Sequence, residues 1–344
     1  MKQQRPQVAD LRVHDVDAPT ATGFSNETVF FQVSFEEAGR TRTERLVARI
    51  EPVDGGLFPI QTPACEISVG LQHRLMTDVE RSGVAPVPPM RGYEPDPSVI
   101  GSPFFVMDFV DGVIPADVPR YSQAGFLVEE ARPKQRETMV RDGIEKLAAL
   151  NRLDWQAAGL SWLDVRGQGS PTLADQLMLY RDYCVQALAG REHPVILRAL
   201  DWLDDNAPES PVVGLSWGDA RLGNIIWQDY RCGAVVDWEA AALCPPDADI
   251  GWWVMFDRMS FDDLGAKRLP GFPTREQMVA WWEELVGRKV AGDIHYWEVY
   301  AVMRFCAIMI RLGDRFIKAG IGDPEQSPAI HNGVTDALNR LLAE

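Results

Sequence analysis

Leu215-Ser216-Trp217-Gly218-Asp219-Ala220-Arg221-Leu222-Gly223-Asn224-Ile225-Ile226-Trp227, followed by Gly233-Ala234-Val235-Val236-Asp237-Trp238-Glu239, is the stretch on which the reading of this chain turns. It reads as loop, short strand, turn, short strand and acidic tip. Asp219 and Asn224 stand five residues apart across a loop, and Asp237 closes the apolar run Ala234-Val235-Val236, which has the character of a buried strand. Two carboxylates and an amide in this order suit phosphoryl transfer from a nucleotide. One carboxylate orients the attacking hydroxyl, while an amide oxygen and a second carboxylate hold the metal that bridges the phosphates. A lone Asp-x4-Asn is equally the signature of an Asx turn; the Gly-Asp start and the Asp at the strand end make the composite specific.

The chain has 344 residues, enough for two lobes, and 46% of them are hydrophobic, as in a globular protein. The formal charge of -16 disfavours broad binding to nucleic acid or to an anionic membrane. It permits a cationic ligand, but a solvated acidic surface explains it as well. Cys65, Cys184, Cys232, Cys244 and Cys306 are scattered and odd in number, which points to reduced thiols in a cytoplasmic protein rather than to a disulfide frame or zinc site. The first residues lack the apolar core of a signal peptide, and the apolar stretch 299–312 is interrupted by Arg304 and Arg311, so it reads as a buried helix.

Residues 11–52 read as β structure. Thr28 to Phe35 is a β-branched and aromatic run, Ala38-Gly39-Arg40 supplies a turn, and Arg45 to Ile50 forms the next strand. The loop Thr22-Gly23-Phe24-Ser25-Asn26-Glu27 can aim backbone N–H groups at an anion or be a plain hairpin turn. Arg49 lies near the end of its strand, where a cation reaches phosphates or pairs with an acid; Glu66, opening an apparent helix over 65–76, is the candidate partner. Pro86-Val87-Pro88-Pro89-Met90 is an extended connector, and Ser102 to Gly112 a buried strand running into a Gly turn. Beyond a Pro-rich segment, 113–135, helices dominate, at 140–155, 173–188, 194–206, 249–259, 274–286 and 294–316, with Thr274 as an N-cap. The boundary between a β-rich front and an α-rich remainder falls near Asp111, giving regions 1–110 and 111–344. Trp252, Trp253, Trp281, Trp282, Tyr296, Trp297 and Tyr300 read first as helix-packing core and second as walls of an acceptor pocket.

With these residues in place the chain resembles the aminoglycoside phosphotransferase and choline kinase-like family of small-molecule kinases. The specific part is Gly218-Asp219-x4-Asn224, then Val236-Asp237-Trp238-Glu239 and Pro246-Asp247-Ala248-Asp249-Ile250. The resemblance implies an α+β, bilobal protein-kinase-like fold, with a small β-rich N-lobe that binds nucleotide and a larger α-helical C-lobe that carries the catalytic loop, the metal site and the acceptor pocket. It implies Asp219 as the carboxylate that orients the acceptor hydroxyl, Arg221 beside the transferred phosphate, and Asn224 and Asp237 as magnesium ligands. Gly23, Ser25 and Asn26 would cover the phosphates, and Arg49, anchored by Glu66, would hold them. Met107, Asp108, Phe109 and Val110 would meet the base, Asp249 would support the catalytic loop, and Glu239 would shape the acceptor side. The donor is ATP or GTP, and the acceptor is a hydroxyl of a small molecule: aminoglycoside-like, amino alcohol, sugar or hydroxyacyl metabolite. The chain departs from the family at Trp217, where His is usual, and at Arg49, where protein kinases have Lys; Arg offers a fixed fork of donors instead of a point charge.

Two other functions compete. A nucleotide-binding regulatory pseudokinase without turnover would accommodate Trp217, Arg49 and the sparse glycine loop, but does not explain Asp219, Asn224 and Asp237 together. A metal-dependent phosphohydrolase would need Asp219, Asp237 and Asp249 around one metal site.

Overall fold

The computed structural model describes residues 8–18 and 26–344. Gly23 and Ser25 lie outside them. The front of the chain forms an antiparallel sheet of β1 (Ala9–Asp17), β2 (Glu27–Glu37), β3 (Arg40–Ile50), β4 (Met90–Glu94) and β5 (Phe104–Asp108), in the order β1-β2-β3-β5-β4. The β2–β3 register is continuous from Glu27↔Ile50 to Glu37↔Arg40. The connecting residues Ala38 and Gly39 have φ of 50° and 73°, as a two-residue hairpin that follows the sheet twist requires. Alternation sorts the strands onto two faces. Val33, Phe35 and Leu46 cluster on one, whereas Val47, Phe105 and Met107 join the main core with helix α1 (Ser68–Ser82). β4 was not apparent in the sequence: Met90-Arg91-Gly92-Tyr93-Glu94 has weak strand character, and its pairing with β5 makes it one.

Helix α1 starts at Ser68, later than the expected 65, and ends at Gly83, whose φ of 67° suits the left-handed cap. Its N-terminus is capped from a distance. Glu51, just past β3, accepts from the Ser68 N–H at 3.3 Å and the Val69 N–H at 2.8 Å. Burial raises the Glu51 pKa above its ordinary range, opposed by these two bonds.

After β5 the chain is mainly helical, with α2 (Phe126–Glu129), α3 (Pro133–Asn151), α4 (Leu173–Leu188), α5 (Pro194–Asp205), α6 (Asp247–Ser260), α7 (Arg275–Val286), α8 (Ile294–Lys318) and α9 (Gly333–Leu341). Between α5 and α6 lie two small hairpin-like pairs, β6 (Gly214–Ser216) with β9 (Ala242–Cys244), and β7 (Ile225–Gln228) with β8 (Arg231–Val235). Thr274 caps α7 as expected: its Oγ1 accepts from the Gln277 N–H at 3.3 Å while Gln277 Oε1 accepts from the Thr274 N–H at 2.9 Å. The long α8 is the axis of a second core that gathers α4, α5, α6 and α9. No helix among the described residues is long and apolar enough to cross a membrane.

Candidate active site

The β6-to-β7 loop holds Asp219, and its shape is set from below by Asp249. Asp249 is fully buried in the first turn of α6. It accepts four hydrogen bonds: from Ser216 Oγ at 2.7 Å, the Trp217 N–H at 2.9 Å, the Gly218 N–H at 2.9 Å and Asn151 Nδ2 at 2.7 Å. Both oxygens are thus engaged on the loop backbone and its neighbours, and Asp249 is not available to a metal. This removes the phosphohydrolase reading, which needed it there. Gly218 then turns the chain at φ 88°, so close to the next segment that a Cβ would meet the Ala240 carbonyl oxygen at 2.0 Å. Its own carbonyl accepts from buried Arg304 Nη2 at 3.1 Å, and Arg304 Nε donates to the Tyr180 hydroxyl at 2.9 Å.

Trp217, the unusual residue before Gly218, is buried and donates from Nε1 to the Val236 carbonyl at 3.1 Å. It ties the loop of Asp219 to the segment of Asp237, and its ring packs on Trp238 with centroids 6.0 Å apart. An indole thus supplies the hydrogen bond that links the two segments.

Asp219 emerges from this frame with 13% of its side chain exposed. Its Oδ1 accepts from Trp252 Nε1 at 2.7 Å and from Arg221 Nε at 3.2 Å. Both donors converge on one oxygen, which leaves lone pairs of Oδ2 for a hydroxyl donor. Burial pushes the Asp219 pKa up; Arg221 opposes this, nearby Asp237 adds to it, and the bond from Trp252 opposes it. Arg221 Nη1 also donates to both oxygens of Asp117, at 2.9 and 2.8 Å, and its guanidinium lies 5.0 Å over the Phe256 ring. Arg221 thus bridges Asp219 to the 113–125 segment. Burial works against its charge, but the carboxylates of Asp219 and Asp117 hold it cationic.

Asn224 is buried, and its Nδ2 donates to the Asp219 carbonyl at 3.0 Å, so its Oδ1 is the end left to coordinate. The Val236 N–H donates to the Asn224 carbonyl at 3.0 Å, which sets Asn224 beside the strand end that carries Asp237. Asp237 has a φ of 62°, uncommon for a residue other than glycine, and keeps 27% of its side chain exposed. One amide oxygen and one carboxylate form the donor set that a hard divalent cation takes when phosphate oxygens complete its shell.

Arg49 reaches this pair from the sheet. Its Nη2 lies 3.4 Å from Asp237 Oδ1, and its Nη1 donates to Thr28 Oγ1 at 2.8 Å. This corrects the expected pairing with Glu66, which is exposed and precedes α1. The reason is reach: β3 points Arg49 into the cleft, and the acid that meets the helix start is Glu51. Asn26 is buried, with Nδ2 directed to Glu239 Oε2 at 3.2 Å and to Ser68 Oγ at 3.4 Å, so it links the sheet to the segment after Asp237.

At the end of β5, Met107 is buried in the core and Asp108 forms a two-pronged pair with Arg91, the longer contact 2.9 Å. The Asp108 N–H donates to Pro89 O at 2.9 Å and the Phe109 N–H to Arg45 O at 3.0 Å. Val110 follows these two paired N–H groups. The Phe109 ring meets Phe30 edge-on at 5.9 Å, under the Arg45 guanidinium at 4.3 Å.

Sequence reasoning missed three residues that organise the site: Trp252 as donor to Asp219, Arg304 under Gly218, and Asp117 opposite Arg221. Trp252 had a signal. It stands three residues after Asp249 on α6, so the two share a helix face and both point at the loop. Asp117, in an irregular segment, had none.

Residues 18–284 match the phosphotransferase enzyme family, APH. The chain is 25% identical over 297 residues to acyl-CoA dehydrogenase family member 10 of Mus musculus, which covers 83% of this chain but only 25% of that protein. The chain therefore spans about a quarter of the length of that relative. Among solved structures, a putative aminoglycoside phosphotransferase from Ralstonia eutropha superposes with a TM-score of 0.66 at 20% identity, covering 98% of this chain and 96% of that one. The aminoglycoside phosphotransferase APH(4)-Ia, in a ternary complex with ADP and hygromycin B, superposes with a TM-score of 0.55 at 17% identity, covering 100% and 97%. An N-terminal antiparallel sheet and a helical C-terminal part are thus shared with kinase-like phosphotransferases. With the family matched over most of its length, this chain belongs to the phosphotransferase enzyme family.

Proposed function

We propose that the protein transfers the γ-phosphate of ATP or GTP to a hydroxyl of a small molecule. The carrying observation is the setting of Asp219, whose Oδ1 is fixed by Trp252 and Arg221 while Asn224 and Asp237 stand beside it. Region 1–110 is the nucleotide lobe, and region 111–344 carries the acceptor and the catalytic loop. The acceptor hydroxyl donates to Asp219 Oδ2, which aligns the oxygen for attack and takes its proton late. A carboxylate is a weak base at neutral pH, so its contribution is chiefly orientation. Asn224 Oδ1 and Asp237 would hold magnesium, which supplies charge neutralisation at the phosphates when bound. Arg49, whose Nη2 lies 3.4 Å from Asp237 Oδ1, would meet the phosphates, and Val110 would meet the base.

Among acceptor classes, a hydroxyacyl metabolite is favoured by the name of the mouse relative, an acyl-CoA dehydrogenase family member whose chain contains a region like this one. Hydroxyacyl compounds therefore come first in an acceptor screen, before amino alcohols, sugars and an aminoglycoside.

Calorimetric titration with Mg·ATP and Mg·GTP tests the donor side. Saturable binding that Asp237→Ala weakens at least tenfold, about 1.4 kcal/mol, is the expected result. Equal affinity in the variant removes Asp237 from the metal site. Binding without turnover of any screened acceptor would favour the regulatory reading.

A further inference from the structure

Arg221 stands two residues after Asp219 on the same loop, so the sequence alone would let its guanidinium meet either oxygen of that carboxylate. The choice is made by a carboxylate from another part of the chain. Arg221 Nε donates to Asp219 Oδ1 at 3.2 Å, and its Nη1 donates to Asp117 Oδ1 and Oδ2 at 2.9 and 2.8 Å. The guanidinium carbon lies 5.0 Å from the centre of the Phe256 ring. A planar cation held at two nitrogens and on one face keeps a single orientation. Without the hold on Nη1 it could turn about its own chain, and Asp219 Oδ2 would accept from it as well as Oδ1 does.

The holder is itself fixed. Asp117 lies between β5 and α2, on a segment fastened near both ends. Val113 exchanges two backbone hydrogen bonds with Trp227 of β7, both 2.9 Å. Tyr121 is buried and stacks on Phe272 with centroids 6.0 Å apart, and Ser122 Oγ donates to the Ser260 carbonyl at the end of α6. Asp117 is thus carried between the hairpin that follows Asn224 and the helix that carries Trp252. The loop leaves room for the contact at Gly223, where a Cβ would meet Arg221 Nη1 at 2.5 Å. Arg120 also reaches Asp117 Oδ1, at 3.4 Å, a longer contact than either made by Arg221.

We propose that Asp117 is a positioning residue: it fixes the Arg221 guanidinium on Asp219 Oδ1 and thereby keeps Oδ2 for the incoming hydroxyl. The fixing of Arg221 stands on the geometry alone; the hydroxyl rests on the transfer reading above.

Two variants loosen this clasp in different ways. Asp117→Asn replaces a carboxylate whose side chain is 44% exposed by an amide of the same shape. Gly223→Ala keeps every charge and crowds only the end of a flexible side chain. The fixity of Arg221 is read without turnover. 4-Hydroxyphenylglyoxal condenses with the two terminal nitrogens of a guanidinium, and Asp117 engages Nη1 of Arg221. Modification of Arg221, located by peptide mass spectrometry, should be about tenfold faster in both variants, the contribution of one charge-assisted hydrogen bond. It should stay near the parent's rate in Asp117→Glu, which keeps a carboxylate. Buried Arg136 and Arg304, modified at the parent's rates, show that the fold is intact.

Phosphate release from Mg·ATP to water, the simplest hydroxyl, reads the transfer. Its kcat should fall about tenfold in Asp117→Asn and in Gly223→Ala. The calorimetric Kd for Mg·ATP should stay within about twofold, and Asp117→Glu should recover most of the lost rate. A kcat that rises in Asp117→Asn overturns the proposal, because Asp117 would then be withholding Arg221. A protein that releases phosphate while Arg221 reacts equally slowly in the parent and in both variants refutes the clasp alone. Faster modification of Arg221 in both variants of a protein that binds no nucleotide upholds the clasp and refutes the transfer reading alone.

Discussion

Trp252→Phe separates a role in the reaction from a role in packing. The indole Nε1 donates to Asp219 Oδ1 at 2.7 Å, while the same ring packs on Phe256 and Phe305 with centroids 5.5 and 6.0 Å away. Phenylalanine keeps an aromatic ring among these neighbours and loses the donor. A hydrogen bond to a charged group contributes about 1.5–3 kcal/mol, so transfer should fall roughly 10- to 150-fold. The pH profile carries the sharper expectation. Asp219 orients a hydroxyl only as a carboxylate, and burial has raised its pKa, so transfer rises with pH as the group ionises in that raised range. The Trp252 bond favours the ionised form. Its loss moves the acid limb of kcat/KM to higher pH, while affinity for Mg·ATP stays within twofold, a limit of about 0.4 kcal/mol. The assay is steady-state phosphate transfer from pH 4 to 9 (about the span of carboxylate titration), with a calorimetric Kd at neutral pH. A variant that melts lower but has the parent's rate and acid limb would show that Trp252 only packs, and the assignment of Asp219 as the orienting group would lose its main support.

Asp219→Asn should abolish transfer by about 10²- to 10⁴-fold while nucleotide affinity holds; parallel loss of both would count against an acceptor-side role. The same variant should be more stable than the parent at neutral pH, by urea denaturation. A carboxyl whose folded pKa is raised contributes stability below its unfolded pKa and loses it as pH rises through the folded value, and an amide has no such loss. Asp249→Ala leaves the buried Trp217 and Gly218 N–H groups unpaired and should cost about 3–5 kcal/mol; a denaturation midpoint equal to the parent's would refute its role as the loop's support. Gly218→Ala places a Cβ against the Ala240 carbonyl at a φ of 88° and should displace the loop, so wild-type transfer by that variant would contradict the backbone geometry.

The bilobal organisation was legible because its signals are local. Thr28 to Phe35 and Arg45 to Ile50 flank a two-residue turn, and the β2–β3 hairpin follows. The periodic run 173–188 became α4 with the same limits, since apolar residues at helical spacing and the Thr172 cap fall within one segment. The acidic motif was legible for the same reason. Asp219, Asn224 and Asp237 lie within one loop and one hairpin, so their order in the chain brings them together.

Contacts made across the chain were decided by the tertiary structure. Glu66 stands three residues before the first buried turn of α1, and sequence spacing made it the partner of Arg49; the sheet instead delivers Arg49 to Asp237, 188 positions away, and Glu51 to the helix start. Trp252 looked like one more core tryptophan until α6 packed under the loop of Asp219 and turned its N–H onto that carboxylate. Thus the sequence by itself determined the long strands, most of the long helices and the acidic motif, through spacing along one strand or one loop. The tertiary structure decided which oxygen of Asp219 is held and what supports the loop, because each depends on side chains brought within hydrogen-bond reach only when distant elements pack on one another.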